Sequence, residues 1–258
     1  MCSRFFSVST ARAALAFFIL FALYQSAEGV GARLLHSPIV QDVLMVAAVV
    51  AAWPVGRWLL HWRGYAAFAL EWQRRAPLWL GAGLVLSFLG KAAAIAIGLR
   101  IGAYVRSPAP VPEMTMGTIG FLLIATFIAS IAEDMITRGF WWRVRPVAAT
   151  FGRFVAASAL IYLFNHVFRL ARGPGEWFML ICLGIAYATA LARTGSLWAA
   201  VGLHWGWNLA NGLVDGLISI DANPAFTPYL SGVTNLAMTL VVLILPIRNR
   251  PAAAGSAE

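Results

Sequence analysis

Residues 197–216 read LWAAVGLHWGWNLANGLVDG. At about 1.5 Å per residue, a helix of this length crosses the roughly 30 Å of a bilayer's hydrocarbon core. Its polar side chains are His204, Asn208, Asn211 and Asp215, at offsets of 0, 4, 7 and 11. At about 100° per residue they fall within a sector of about 60°. So narrow a polar stripe on an apolar helix must face protein or water, not lipid. Gly202, Gly206, Gly212 and Gly216 flank the stripe and permit close approach of a neighbouring helix. The residues alone leave two readings open: an interhelical hydrogen-bond seam, or one wall of a polar site.

The rest of the chain fits this membrane reading. Of 258 residues, 61% are hydrophobic and 11% charged, with a mean hydropathy of +0.78; a soluble domain carries about 25% charged residues. The expected fold is all-α, a polytopic integral membrane helical bundle. Eight apolar segments stand out, at about 13–31, 39–60, 78–99, 117–135, 154–171, 177–192, 197–216 and 229–247. The first outruns a signal-peptide core and is read as a retained span, although Val30-Gly31-Ala32 resembles a cleavage pattern. Residues 1–250 form one transmembrane domain, and the Ala-rich tail 251–258 is expected to be disordered. The loop 101–116 contains Pro108, Pro110 and Pro112 and is expected to be extended. Residues 57–77, with Trp58, Trp62, Trp72, Arg63, Arg74 and Arg75, read as an amphipathic stretch lying along the cytoplasmic interface.

The net charge of +9 reflects membrane orientation and not nucleic acid. With an even number of spans and both termini cytoplasmic, 13 arginines lie inside (Arg4, Arg12, Arg57, Arg63, Arg74, Arg75, Arg138, Arg143, Arg145, Arg153, Arg193, Arg248 and Arg250). Five lie outside: Arg33, Arg100, Arg106, Arg169 and Arg172. This is the cationic bias expected of cytoplasmic loops. The excess of Arg over Lys suits a bacterial chain in the inner (plasma) membrane. Cys2 and Cys182 form neither a disulfide framework nor a thiolate metal site.

Ionisable and amide side chains inside spans are costly and tend to be functional. The fourth segment ends in Glu133, Asp134 and Arg138. Asp134 and Arg138, four residues apart, can pair on one face, while Glu133 is turned by about 100° toward another helix. Asn165 and His166 lie in the fifth segment, one turn after Tyr162, and Lys91 is alone in the third. Lys91 would either snorkel or meet a carboxylate. Two histidines, a carboxylate free of its own ion pair and an amide, spread over three helices, suit water activation and oxyanion stabilisation. They equally suit a three-ligand zinc site with an open position.

In order and spacing these motifs resemble the CPBP (Abi) family, the CAAX proteases and bacteriocin-processing proteins. Its pattern is Glu-Glu-x-x-x-Arg, then Phe-x-x-x-His, then His-x-x-x-Asn. Here they read Glu133-Asp134-x-x-x-Arg138, Tyr162-x-x-x-His166 and His204-x-x-x-Asn208. The family core covers about 117–216, with Asp134 in place of the second Glu and Tyr162 in place of Phe.

The resemblance implies an intramembrane endopeptidase acting on a membrane-associated peptide or protein. Glu133 and His166 would activate water, and His204 and Asn208 would hold the oxyanion. Asp134, Arg138, Tyr162 and Asn211 would support them. If a divalent metal such as zinc takes part, Glu133, His166 and His204 are its expected ligands. The implied partners are the substrate and the lipid bilayer, with no nucleic acid. A non-catalytic immunity or scaffold protein of the same fold, or a transporter with Lys91 on its path, are the competing readings. A shared site also has a geometric condition. His166 lies toward the outer end of segment 154–171, so that helix must tilt or start deeper, with Arg169 and Arg172 snorkelling outward.

Overall fold

The computed structural model describes residues 8–109, 111, 114–144 and 150–246. Cys2, Arg4, Pro110, Pro112, Glu113, Arg145, Arg248, Arg250 and the tail 251–258 lie outside the described residues. Six helices are long and apolar enough to cross a membrane. They are α1 (Thr10–Leu34), α2 (Pro38–Leu59), α3 (Ala76–Ile101), α4 (Met116–Arg143), α6 (Pro174–Thr194) and α8 (Thr227–Ile244). The shorter apolar α5 (Phe151–Asn165) and the polar-striped α7 (Leu197–Leu217) join them. The protein is thus a polytopic helical bundle. Its helices leave large apolar side chains such as Phe18, Ile39, Ile124 and Ile244 uncovered, as a lipid-facing exterior requires.

Helix ends follow local chemistry. Ser37 and Thr115 cap α2 and α4, accepting from Val40 N at 3.3 Å and Thr118 N at 3.1 Å. Two ends differ from expectation. Segment four does not stop near residue 135: it widens into a π turn over Met135–Gly139 and continues to Arg143. Segment five does not reach residue 171. It ends at Asn165, and a 3-10 turn, Val167–Arg172, leads to Gly173 and Pro174, which starts α6. Gly173 has φ +89°, a conformation that glycine adopts without strain.

Helix α7 is the hub of the bundle. Gly83 of α3 lies against Ala199, Gly202 and Leu203, and Gly206 of α7 against Leu84 and Ser87, so α3 and α7 run parallel. Phe127 of α4 packs on Trp205, and Leu122 on Gly212, so α4 and α7 run antiparallel. These directions agree with a chain that crosses alternately. A Cβ on Gly202 would collide with the Leu80 carbonyl. Gly202→Val is therefore expected to lower stability by about 1–3 kcal/mol or more, read as a lower melting temperature in detergent.

Residues 57–77 do not form a surface amphipathic helix. A 3-10 turn, Gly64–Phe68, folds the segment back into the bundle, and Phe68 is fully buried. Gly139 seats on the Phe68 carbonyl, and Leu197 N donates to Ala69 O at 2.9 Å. Gly64 and Ala69, at φ +56° and +55°, make the tight entry and exit. Trp58 and Trp72 remain at the surface. The loop after α3 is extended over Tyr104–Arg106. It also pairs β1 (Tyr104–Arg106) antiparallel with β2 (Ile220–Ala222), in the register Tyr104↔Ala222.

Candidate active site

The π turn in α4 follows directly on Glu133 and Asp134, and such local widenings often mark functional positions. Its backbone is satisfied by side chains. Thr137 Oγ1 donates to Glu133 O at 2.8 Å, and Ser158 of α5 donates to Thr137 O at 3.1 Å. Glu133 and Asp134 then face different partners, as their offset along the helix requires.

Asp134 forms an ion pair with Arg138, both side chains fully buried. The guanidinium lies between the rings of Tyr162 and Tyr187, 5.1 Å and 5.2 Å from their centroids. The other contact of Asp134 is His204, whose Nδ1 is 2.9 Å from Oδ1. Tyr187 stacks on the His204 ring at 4.8 Å. Arg138 and Asp134 therefore hold the histidine rather than merely ending a helix.

Glu133 points the other way, into the meeting point of α4, α5 and α7. Asn165 Nδ2 donates to Glu133 Oε1 at 3.0 Å. His166 Nε2 is 3.4 Å from Oε1 and His204 Nε2 is 3.6 Å from Oε2. The depth condition on His166 is met because α5 stops at Asn165, which places His166 at a deep helix end and not part-way along a longer span. Arg169 pairs with Glu176, and Arg172, largely exposed, lies 3.8 Å from the same carboxylate oxygen.

The partners of the imidazoles assign their tautomers. His166 Nδ1 lies 2.8 Å from the Tyr162 carbonyl oxygen, and His204 Nδ1 faces the Asp134 carboxylate. Both partners only accept, so both Nδ1 atoms carry hydrogen. In the neutral rings each Nε2 presents a lone pair toward Glu133. The lone pairs suit a metal ion, and the Nδ1 partners match the outer-shell pattern of metal-binding histidines. The arrangement does not complete the fit. Among the described residues no three His, Cys, Asp or Glu side chains are grouped closely enough to hold a metal.

Asn208 lies one turn beyond His204 and donates to Ser130 Oγ at 3.3 Å, which leaves its second N–H for the cavity. The cavity, about 510 Å³, has Glu133, His166 and His204 among its lining residues, with Asn208, Asn211 and Asp215 continuing along α7. Its other lining groups include Arg172, Ile220 and Thr227, so it extends toward the face that carries the β ribbon.

Every expected site residue thus borders the cavity or supports a residue that does. Two contributors were not expected. Gln25 of α1 donates to Asn165 O at 2.7 Å and to Oδ1 at 3.1 Å, and Tyr24 lies beside the Glu133 and Asn165 side chains. Gln25 and Asn165 form a relay that orients the Glu133 carboxylate. The only local signal for it was a polar Gln25 late in an apolar run.

Fold and site together define a polytopic helical membrane protein with a buried carboxylate and two histidines at the floor of a polar cavity. The family model described as type II CAAX prenyl endopeptidase Rce1-like matches residues 115–210. Over that stretch the chain is similar to this family of membrane proteases, the CPBP (Abi) group. The matched stretch contains Glu133, Asp134, Arg138, Tyr162, His166, His204 and Asn208, while Tyr24, Gln25, Lys91, Asn211 and Asp215 lie outside it. No curated protein and no solved structure matches the chain.

Proposed function

We propose that the chain is an intramembrane endopeptidase that hydrolyses a peptide bond of a membrane-associated substrate in the bacterial inner membrane. The observation that carries this reading is the placing of Glu133 between His166 and His204, at 3.4 Å and 3.6 Å, at the floor of a cavity that admits water. A water on the cavity side of these contacts is within reach of both the carboxylate and an imidazole nitrogen.

Glu133, oriented by Asn165, takes a proton from that water as its oxygen attacks the carbonyl carbon, and the His166 Nε2 lone pair holds the water in line. The carbonyl oxygen becomes an oxyanion, which accepts a hydrogen bond from Asn208 Nδ2. His204 donates as well when its Nε2 carries a proton. Asp134 on Nδ1 keeps the ring turned toward the site. On collapse the C–N bond breaks and the leaving amine takes the proton from Glu133.

With the arginine-rich ends cytoplasmic, the cavity extends toward the non-cytoplasmic side, and the substrate segment enters from there. The test uses purified full-length chain in detergent and a randomised peptide mixture, with products identified by mass spectrometry. Wild type is expected to cleave, and Glu133→Gln and His204→Ala are not. Cleavage retained in both variants would sink the assignment.

A further inference from the structure

Lys91 is the one lysine of the chain and lies in the middle of α3. Its side chain is buried, yet it neither snorkels to an interface nor meets a carboxylate. Nζ donates to the Tyr104 hydroxyl at 3.1 Å and sits 4.9 Å from the centroid of the Trp207 ring. No ion pair joins it to an acid among the described residues. Asp215 lines the same cavity and is not bound to it.

An ammonium buried in a membrane bundle without an anion is costly, and such groups are kept where they meet a ligand. Tyr104 reaches Lys91 from β1, seated so closely on Gly98 that no Cβ would fit there, and β1 is held in turn by β2. The ribbon thus fixes the hydroxyl beside the ammonium. Of the other cavity cations, Arg169 pairs with Glu176, and Arg172 lies 3.8 Å from the same oxygen with its side chain largely exposed, so Lys91 is the buried cavity cation that no carboxylate meets among the described residues.

We propose that Lys91, with the Tyr104 hydroxyl, is an anchor for a substrate carboxylate and sets which peptides are cut. The proposal rests on the protease reading for its purpose but not for its chemistry. Trp207, against which Lys91 lies, is three residues from His204, a rise of about 4.5 Å along α7. The anchored group therefore sits within about 10 Å of the reacting carbon, about two or three residues of extended peptide. The carboxylate is either the C-terminus of the chain being cut or an Asp or Glu side chain at that distance.

Calorimetric binding to the full-length chain in detergent tests this with three probes. They are an N-acetylated trileucine with a free C-terminal carboxylate, its C-terminal amide, and that amide with aspartate in the last position. Wild type is expected to bind at least one acidic probe about tenfold or more tightly than the neutral amide. Preference for the free acid alone identifies a C-terminal anchor, and preference for the aspartyl amide a side-chain one. Lys91→Met should abolish the discrimination while melting no lower than wild type, because it removes a buried, unneutralised charge. Glu133→Gln should keep the discrimination. Equal binding of all three probes to wild type, or discrimination that survives Lys91→Met, overturns the proposal. Discrimination without cleavage of any peptide would count against the protease reading and leave the anchor standing.

Discussion

Replacing Glu133 with glutamine is expected to lower kcat/KM by about 10²–10⁴-fold, the range for removal of a positioned general base, while the protein stays folded. The substitution is nearly isosteric. The glutamine carbonyl can still accept from Asn165 Nδ2, now 3.0 Å from Oε1, and the relay from Gln25 through Asn165 is untouched. An amide cannot take the proton of the attacking water, so the loss should fall on kcat more than on KM. Progress curves on a peptide from the mixture, together with a melting curve of the same preparation, measure both halves. A variant that is inactive because it has unfolded, or one that is active within about threefold, would contradict the role given to this carboxylate.

The second large effect concerns stability. Arg138 and Asp134 are both fully buried and pair with each other, so removing one partner strands the other's charge. Arg138→Met is expected to cost about 3–5 kcal/mol, because an uncompensated buried charge is left behind. Loss of the stacking of the guanidinium between Tyr162 and Tyr187 adds to this. Asp134→Asn in the same chain should restore part of the stability by removing the stranded charge. Denaturation in mixed micelles of wild type, single and double variants measures this. A double variant no more stable than the single one would show that packing, and not charge, holds this corner. Restored folding should not restore cleavage, since an amide at position 134 no longer fixes the His204 tautomer.

The polar residues that matter were legible because a membrane makes them conspicuous. Glu133, His166, His204 and Asn208 stand out in apolar runs, where each polar group needs a reason. Offsets along one helix also showed that Glu133 and Asp134 would diverge and that His204 and Asn208 would share a face. The relay through Gln25 and Asn165 was not legible, since it joins α1 to α5 across the bundle. Lys91 was visible as an oddity, but its surroundings were not. Tyr104 and Trp207 come from distant parts of the chain, and nothing local links a short extended loop to a lysine in the preceding helix. Residues 57–77 misled because tryptophan and arginine suit an interface, while the burial of Phe68 depends on a slot made by α4 and α7.

By itself the sequence determined that this chain is a membrane helical bundle, which residues are too polar to face lipid, and, through its motifs, the protease family that its central stretch resembles. Those properties depend on composition and on one helix at a time, where the hydrophobic effect and a period of about 3.6 residues govern. Tertiary structure alone decided that α5 stops at Asn165, that both imidazoles turn Nε2 toward Glu133, and that α4 widens and continues past the site. It also decided that residues 197–216, the stretch with the narrow polar stripe, form one wall of a cavity and not a sealed seam between helices. Those outcomes depend on which helices meet and at what depth, and depth is set by packing against neighbours that no single segment encodes.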